Sequence, residues 1–133
     1  MSPAPPALET WHRIVRERNP SVLRELLAED AVFHSPVVHT PQRGRALVAG
    51  YLGAALQLLS APGFRYVREI VGDQEAMLEF AVELEGILVD GVDIIRWNED
   101  GKIVEFKVMI RPLKAINLVH QKMAGLLAAA RPR

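Results

Sequence analysis

The sequence contains no cysteine, no excess of charge of either sign and no long apolar run, and each absence excludes a class of function. Without cysteine, the chain has no disulfide, no thiolate metal ligand and no thiol nucleophile. Its 16 basic residues balance its 16 acidic residues, so it lacks the basic excess typical of proteins that bind nucleic acid or anionic membranes. No apolar segment approaches the roughly 20 residues of a transmembrane helix.

The N-terminal residues MSPAPP lack the charged and apolar regions of a signal peptide. We therefore expect a disordered tail over residues 1–6, a single domain over residues 7–131 and a cytoplasmic location. A chain of 133 residues buries roughly two-thirds of its unfolded surface, which is enough for one core. No His, Asp or Glu spacing matches a metal site, and no glycine-rich phosphate loop is present, so we expect no metal and no cofactor.

The segment from Gly86 to Pro112 is predicted to form a long β-hairpin. Its turn is Asn98–Gly101, because Asp-Gly flanked by alternating apolar residues is a strong hairpin signal. Alternation along the first strand predicts that Asp93 shares a face with Ile95 and Trp97. If this face is the interior, Asp93 is a buried carboxyl, which costs several kcal/mol unless the group is hydrogen-bonded or protonated.

Periodicity predicts the remaining elements. Apolar residues at helical spacing predict helices over residues 7–18, 20–28, 45–59 and 113–130. Alternation predicts strands over residues 31–38, 64–71 and 76–85 in addition to the hairpin. Asn19 and Pro20 suit the N-cap and first position of the second helix, and Pro36 predicts a bend or an edge near the end of the first strand. Helices followed by an antiparallel meander indicate an α+β fold with helices on one face of a curved sheet.

Three segments carry a resemblance to a known family. They are LLAEDAV (26–32), Ser35-Pro36 with Gly44, and VDIIRWNEDGKI (92–103). The chain resembles the SnoaL-like and ketosteroid-isomerase-like members of the nuclear-transport-factor-2-like superfamily from about residue 8 to residue 112. The resemblance implies a cone-shaped, curved antiparallel sheet wrapped around N-terminal helices, a cystatin-like α+β barrel, here with an extra C-terminal helix. It also implies a pocket for a small apolar or cyclic molecule.

The resemblance to ketosteroid isomerase is uneven at the functional positions. Asp93 falls where that enzyme has a protonated aspartic acid, Trp11 where it has an oxyanion-binding tyrosine, and Ser35 where it has the general base. Serine is not basic at neutral pH without an activating partner, which argues against that mechanism. Gly91 stands where the superfamily's epoxide hydrolases have an arginine, which argues against theirs. The SnoaL-like cyclases use one inward aspartate as acid or base, and Asp93 fits that role.

Asp93 is therefore the candidate catalytic residue of an isomerase, cyclase or hydrolase. The candidate ligand-binding residues are Trp11, Phe33, Ser35, Tyr51, Phe80, Ile95, Phe106 and Val108. Asp93 is alternatively a structural carboxyl that accepts a hydrogen bond from Trp11, Tyr51 or a backbone amide. His39 and His120 are weaker candidates, because a lone histidine is more often a surface or core residue.

A non-catalytic function is the alternative hypothesis to an enzymatic one. In it the protein is a ligand-binding or dimeric accessory protein whose pocket is filled by side chains, or an adaptor that uses its sheet face. Val92, Ile94 and Met109 are predicted to lie on the outer face of the sheet, where apolar residues need a cover. A partner subunit is the simplest cover, so we expect a homodimer through this face.

Overall fold

The computed structural model describes residues 5–130, in which helices border one six-stranded sheet. In chain order the elements are α1 (Pro6–Glu17), a 3₁₀ turn (Pro20–Val22), α2 (Leu23–Leu26), β1 (Leu27–His34), β2 (Gln42–Arg43), α3 (Arg45–Leu58), β3 (Arg65–Val71), β4 (Glu75–Leu84), β5 (Ile87–Trp97), β6 (Ile103–Arg111) and α4 (Leu113–Ala130). Residues 1–4 of the predicted tail and residue 131 of the predicted domain lie outside the described range, and Pro6 already belongs to α1. Within that range no helix is long and apolar enough to cross a membrane.

The sheet confirms the predicted α+β class and adds one feature. Its strand order is β2-β1-β6-β5-β4-β3. The pairs β3–β4, β4–β5 and β5–β6 are antiparallel, as the meander predicts. However, β1 runs parallel to β6 and β2 pairs antiparallel with β1, so the sheet is mixed rather than purely antiparallel. It curves without closing, because β2 and β3 stay at opposite edges.

The predicted hairpin is present with its predicted turn. The Gly101 amide donates to the Asn98 carbonyl at 3.0 Å, and Gly101 has a φ of 75°, which favours glycine. The Asn98 side-chain oxygen accepts from the amides of Asp100 and Lys102, each at 3.0 Å. Along β5, buried residues alternate with partly exposed ones from Val89 to Trp97. This alternation confirms that Asp93 points into the protein.

The segment before the sheet differs from its prediction. Asn19 caps the turn by accepting from the Ser21 amide at 3.1 Å, as expected. The predicted helix over residues 20–28 is wrong in length, because β1 starts at Leu27, which pairs with Ile103 of β6. The predicted strand over residues 31–38 ends early at His34. Ser35 then accepts from the amides that follow Pro36, which turns the chain away from the sheet.

Two apolar clusters pack against the inner face of the sheet. One joins α1, α2 and α3 to the sheet, and includes Leu8, Ile14 and Leu52. The other lies beneath α4 and includes Phe80 and Val119. A cavity remains where the helices do not fill the space between these clusters.

Candidate functional site

A cavity of about 730 Å³ lies between the inner face of the sheet and helices α1, α3 and α4. This volume is within the roughly 300–1,000 Å³ of typical small-molecule sites. Most of its wall is apolar and comes from side chains such as Leu52, Phe80, Val108 and Met123. The interior is therefore not filled by side chains, and that part of the non-catalytic alternative is wrong.

Asp93 lies in the middle of β5 and on the wall of this cavity. Its neighbours across the sheet are Leu78 of β4 and Val108 of β6. The residue is 5% exposed and is the one buried charged or polar residue among those the structure describes. Strand register alone thus places one carboxyl in an apolar environment, as the sequence predicts.

Asp93 is held by a chain of two hydrogen bonds. The Tyr66 hydroxyl donates to Asp93 Oδ2 at 2.7 Å, and the Trp11 indole Nε1–H donates to the Tyr66 oxygen at 3.0 Å. An indole nitrogen can only donate, so the direction of the bond from Trp11 is fixed, and the Tyr66 proton is then free to point to ionised Asp93. Trp11 also packs edge-on against the ring of Phe106, with 4.9 Å between the ring centroids. Helix α1 and strand β3 together therefore fix the orientation of the carboxyl.

The second carboxyl oxygen of Asp93 is the one that a ligand can reach. No group among residues 5–130 hydrogen-bonds to Oδ1, whereas Oδ2 accepts from Tyr66. Within the same range, every fully buried side-chain oxygen or nitrogen has a hydrogen-bond partner. Oδ1 is therefore not sealed in the core. Because Asp93 lines the cavity, we infer that this oxygen is exposed to it.

Burial determines the ionisation of both members of the pair. Desolvation raises the pKa of Asp93 from 3.8 to about 7, and the hydrogen bond from Tyr66 opposes this rise. Burial, together with the charge of Asp93, raises the pKa of the Tyr66 phenol well above 10, so Tyr66 stays a donor. A carboxyl with a pKa near 7 is present in both forms at neutral pH, which suits proton transfer.

Gly91 leaves no room for a second polar side chain beside Asp93. A Cβ atom at position 91 would lie 2.2 Å from Cζ of Phe80, which packs directly over the glycine. No real Cβ makes such a contact, so the arginine of the epoxide hydrolases does not fit this packing. On this strand, Asp93 therefore has no charged neighbour at position 91.

The cavity brings together most of the residues predicted from the sequence. The predicted residues that line it with Asp93 are Trp11, Phe33, Ser35, Tyr51, Phe80, Phe106 and Val108. Ile95 does not line it, because its side chain is buried in the cluster under α1. His120 lines the cavity, whereas the exposed His39 does not. The predicted direct bond from Trp11 or Tyr51 to Asp93 is replaced by the bond from Tyr66.

Tyr66 is the functional residue that sequence reasoning missed. Alternation over residues 64–71 puts Phe64 and Tyr66 on one face, which is a signal that Tyr66 points inward. This signal does not identify a partner 27 residues away. A register shift in β3 between Tyr66 and Arg68 also breaks the simple alternation after the tyrosine.

Comparison with known proteins identifies the family. The model of the SnoaL-like domain matches residues 8–106, which is most of the chain. The chain belongs to the SnoaL-like domain family. The resemblance predicted from the sequence is thus confirmed, including membership of the nuclear-transport-factor-2-like superfamily with its ketosteroid-isomerase-like branch. No curated protein matches the chain.

Solved structures agree with the family assignment. A steroid delta-isomerase from Pseudomonas aeruginosa is 34% identical to this SnoaL-like protein, with a TM-score of 0.88 over 92% of this chain and 90% of the other. An uncharacterised protein with a cystatin-like fold from Silicibacter pomeroyi is 32% identical, with a TM-score of 0.83 over 91% and 84%. An NTF2-like protein of unknown function from Mesorhizobium loti, 22% identical with a TM-score of 0.69 over 80% and 88%, shares the fold.

Proposed function

We propose that this SnoaL-like protein is an isomerase that moves a proton within a small, largely apolar carbonyl compound, with Asp93 as the acid and base. One observation carries the proposal: a carboxyl with a pKa near 7 lies on the wall of an apolar cavity of ligand size. Burying a carboxyl costs stability, so its presence on the wall of an apolar cavity favours a functional role. Perturbed carboxyls in cavities are characteristic of catalytic sites.

The reaction follows from the chemistry of one carboxyl. Ionised Asp93 takes a proton from the carbon next to the substrate carbonyl, and the electron pair of that C–H bond forms an enolate. Protonated Asp93, whose carboxyl proton exchanges with water in part of the turnovers, then returns a proton to a carbon further along the conjugated system, and the double bond moves. Substrate and product have the same atoms and electrons, so the reaction needs no oxidant, reductant or co-substrate. Proton transfer by a positioned side chain contributes roughly 10²–10⁴-fold to the rate.

The enolate oxygen needs a hydrogen-bond donor, and we assign this role to Ser35. Its Oγ accepts from the amides of Val37 and Val38 at 3.1 and 3.4 Å, so its own proton is not used by either bond. Ser35 lines the same cavity as Asp93. In this proposal Ser35 binds the substrate oxygen and does not act as the base.

The similarity to the Pseudomonas aeruginosa steroid delta-isomerase supports the isomerase class, since identity is 34% over nine-tenths of each chain. It does not carry a steroid over to this protein. The cavity volume and its apolar wall favour a largely apolar ketone, up to the size of a typical drug-like molecule.

The test is hydrogen exchange and isomerisation of a simple probe, 3-cyclohexen-1-one, followed by proton NMR in deuterated buffer at pH 8. We expect the protein to accelerate both reactions and the Asp93→Asn variant to lose roughly 10²–10⁴-fold of that rate. Asp90→Asn is the matched control, because Asp90 lies on the opposite face of β5 and pairs with Arg111 at 3.5 Å. An Asp93→Asn variant as active as the wild type would refute the role of Asp93.

The second candidate is a non-catalytic ligand-binding protein. It is favoured by the composition of the cavity wall, where Asp93 is the one carboxyl group among the described residues. Absence of probe exchange in the wild type, combined with tight binding of apolar molecules, would support this candidate instead.

A further inference from the structure

We infer that the natural ligand carries an anionic group at one end, held by arginines at the cavity mouth, while its apolar body lies inside. This inference rests on the proposed use of the cavity for a small molecule, and it names the chemical class of that molecule. We define the cavity mouth by the three exposed arginines that line the cavity, Arg16, Arg18 and Arg65.

The charge around the cavity is strongly one-sided. Three guanidinium groups line it, and the one carboxyl among its lining residues is Asp93, which is deeply buried. The chain as a whole has equal numbers of basic and acidic residues. The positive charge at the mouth is therefore a local feature and not a consequence of overall composition.

The arginines at the mouth also differ from those on the sheet in their partners. Arg68, Arg96 and Arg111 each form an ion pair with a carboxylate, at 3.4, 3.7 and 3.5 Å. Among residues 5–130, no carboxylate lies within 4 Å of the guanidinium groups of the mouth. Within residues 5–130, the one hydrogen bond of the Arg65 side chain is a 3.5 Å contact to the Gly63 carbonyl. These groups are left available for a charged ligand.

Helix stability does not explain the whole set. Arg16 and Arg18 lie at the C-terminal end of α1, where a positive charge interacts favourably with the helix dipole. Arg65 is the first residue of β3 and has no such role. His12 of α1 pairs with Glu69 of β3 at 2.6 Å, so the neighbouring acidic group is already engaged. Two elements thus contribute arginines to one cavity.

The chemistry of guanidinium defines the ligand. Arginine is always charged and binds carboxylates, sulfonates and phosphates through paired hydrogen bonds. An anionic end would be repelled by ionised Asp93, so the apolar end enters first. A keto acid with an apolar or cyclic body meets both requirements, because its acid group stays at the mouth and its ketone reaches Asp93.

Two dyes with the same ring system test the inference. 1-Anilinonaphthalene-8-sulfonate carries a sulfonate, and N-phenyl-1-naphthylamine is the same molecule without it. Both fluoresce in apolar sites, and their affinities are measured by titration at low salt. An Ala55→Phe variant, which places a ring in the cavity, identifies the fluorescence that comes from the cavity, and only that fraction is analysed.

The variant with Arg16→Gln, Arg18→Gln and Arg65→Gln should bind the sulfonate dye at least about tenfold more weakly, the size of one lost charge-assisted hydrogen bond. Its affinity for the neutral dye should be unchanged. The control replaces Arg13, Arg24 and Arg43 by Gln, which removes the same charge from exposed sites away from the cavity. The control should bind both dyes as the wild type does.

Two results would overturn the inference. If the mouth variant bound both dyes more weakly by the same factor, the arginines would shape the cavity and would not favour an anionic ligand. Equal effects of the mouth variant and the control would mean that only net charge matters. Neither dye has a carbonyl, so the titration is independent of Asp93 chemistry. A sulfonate preference without ketone exchange would keep this inference and refute the isomerase proposal.

Discussion

The Tyr66 hydroxyl donates a 2.7 Å hydrogen bond to Asp93 Oδ2, and this bond opposes the effect of burial on the carboxyl. Because a hydrogen bond to the ionised form stabilises it, Tyr66 keeps the pKa of Asp93 lower than burial alone would. Tyr66 is thus a positioning residue, which sets the pH range in which Asp93 is a base.

The Tyr66→Phe variant should therefore shift the pH profile of probe exchange upward. Exchange requires ionised Asp93, so wild-type kcat/KM should rise with pH through a midpoint near 7. A hydrogen bond to a charged group is worth about 1.5–3 kcal/mol, so the midpoint should rise by about one pH unit or more. The control is Tyr51→Phe, which removes a cavity hydroxyl not bonded to Asp93 and should not move the midpoint. An unmoved midpoint in Tyr66→Phe would contradict the assigned role.

The buried Asp93 carboxyl should also lower the free energy of unfolding at neutral and alkaline pH. Its folded pKa of about 7 lies above its ordinary value of 3.8, so the folded state holds the proton more tightly. Below about pH 4 the carboxyl does not lower the free energy of unfolding. Above that pH the loss grows until the pH has risen through 7, where it reaches at most about 4 kcal/mol. Asp93→Asn should thus gain stability over the wild type at pH 8 but much less at pH 4.5, as measured by urea unfolding. A gain that does not grow with pH, or that also occurs in Asp90→Asn, would contradict the buried-carboxyl account.

Gly91→Ala should destabilise the protein, because the new methyl group would displace the ring of Phe80. Overpacking of this kind costs about 1–3 kcal/mol, measurable as a lower urea midpoint. Adding Phe80→Leu, which makes room for the methyl group, should recover part of the lost stability. Such a recovery would show that the two positions are coupled. Gly50→Ala is the control, because nothing lies within 4 Å of a Cβ atom there. That helical position should gain roughly 0.5–1 kcal/mol. Equal effects at both positions would contradict the close packing at Gly91.

The outer face of the sheet should form the homodimer that the sequence predicts. Strand register brings Ile70, Met77 and Ile94 side by side on three adjacent strands, and Val92 lies opposite Met109. Ile70 is 60% exposed and Met109 is 57% exposed, so this apolar face lacks a cover in the single chain.

Light scattering should give the mass of a dimer for the wild type and of a monomer for Ile94→Lys. The control is Leu113→Lys, at the start of α4, where the side chain is 72% exposed and lies away from this face. It should remain dimeric. A wild-type protein that is monomeric at all concentrations would refute the prediction.

Features governed by neighbours in sequence were predictable here. The inward direction of Asp93 follows from alternation along β5, and the hairpin turn follows from Asp100-Gly101. Both depend only on residues within a few positions of each other. Thus the sequence alone identified the carboxyl and seven of the residues that line the cavity with it.

Features governed by distant contacts were not predictable. Tyr66 is 27 residues from Asp93 and 55 from Trp11, and no local pattern encodes either hydrogen bond. The apolar spacing over residues 20–28 favours a helix, but pairing of Leu27 with Ile103 of β6 makes it the start of a strand. The arginines at the cavity mouth likewise come from two segments that only the fold brings to one cavity.

The central claim concerns the ionisation of one carboxyl, and carbon-13 NMR of aspartate carboxyls measures it directly. Asp93→Asn identifies the signal, and titration of the wild type gives the pKa. The account predicts a midpoint near 7, far above the ordinary aspartate value of 3.8. A midpoint at or below about 4, the ordinary value for aspartate, would show that Asp93 is not the buried acid and base described above.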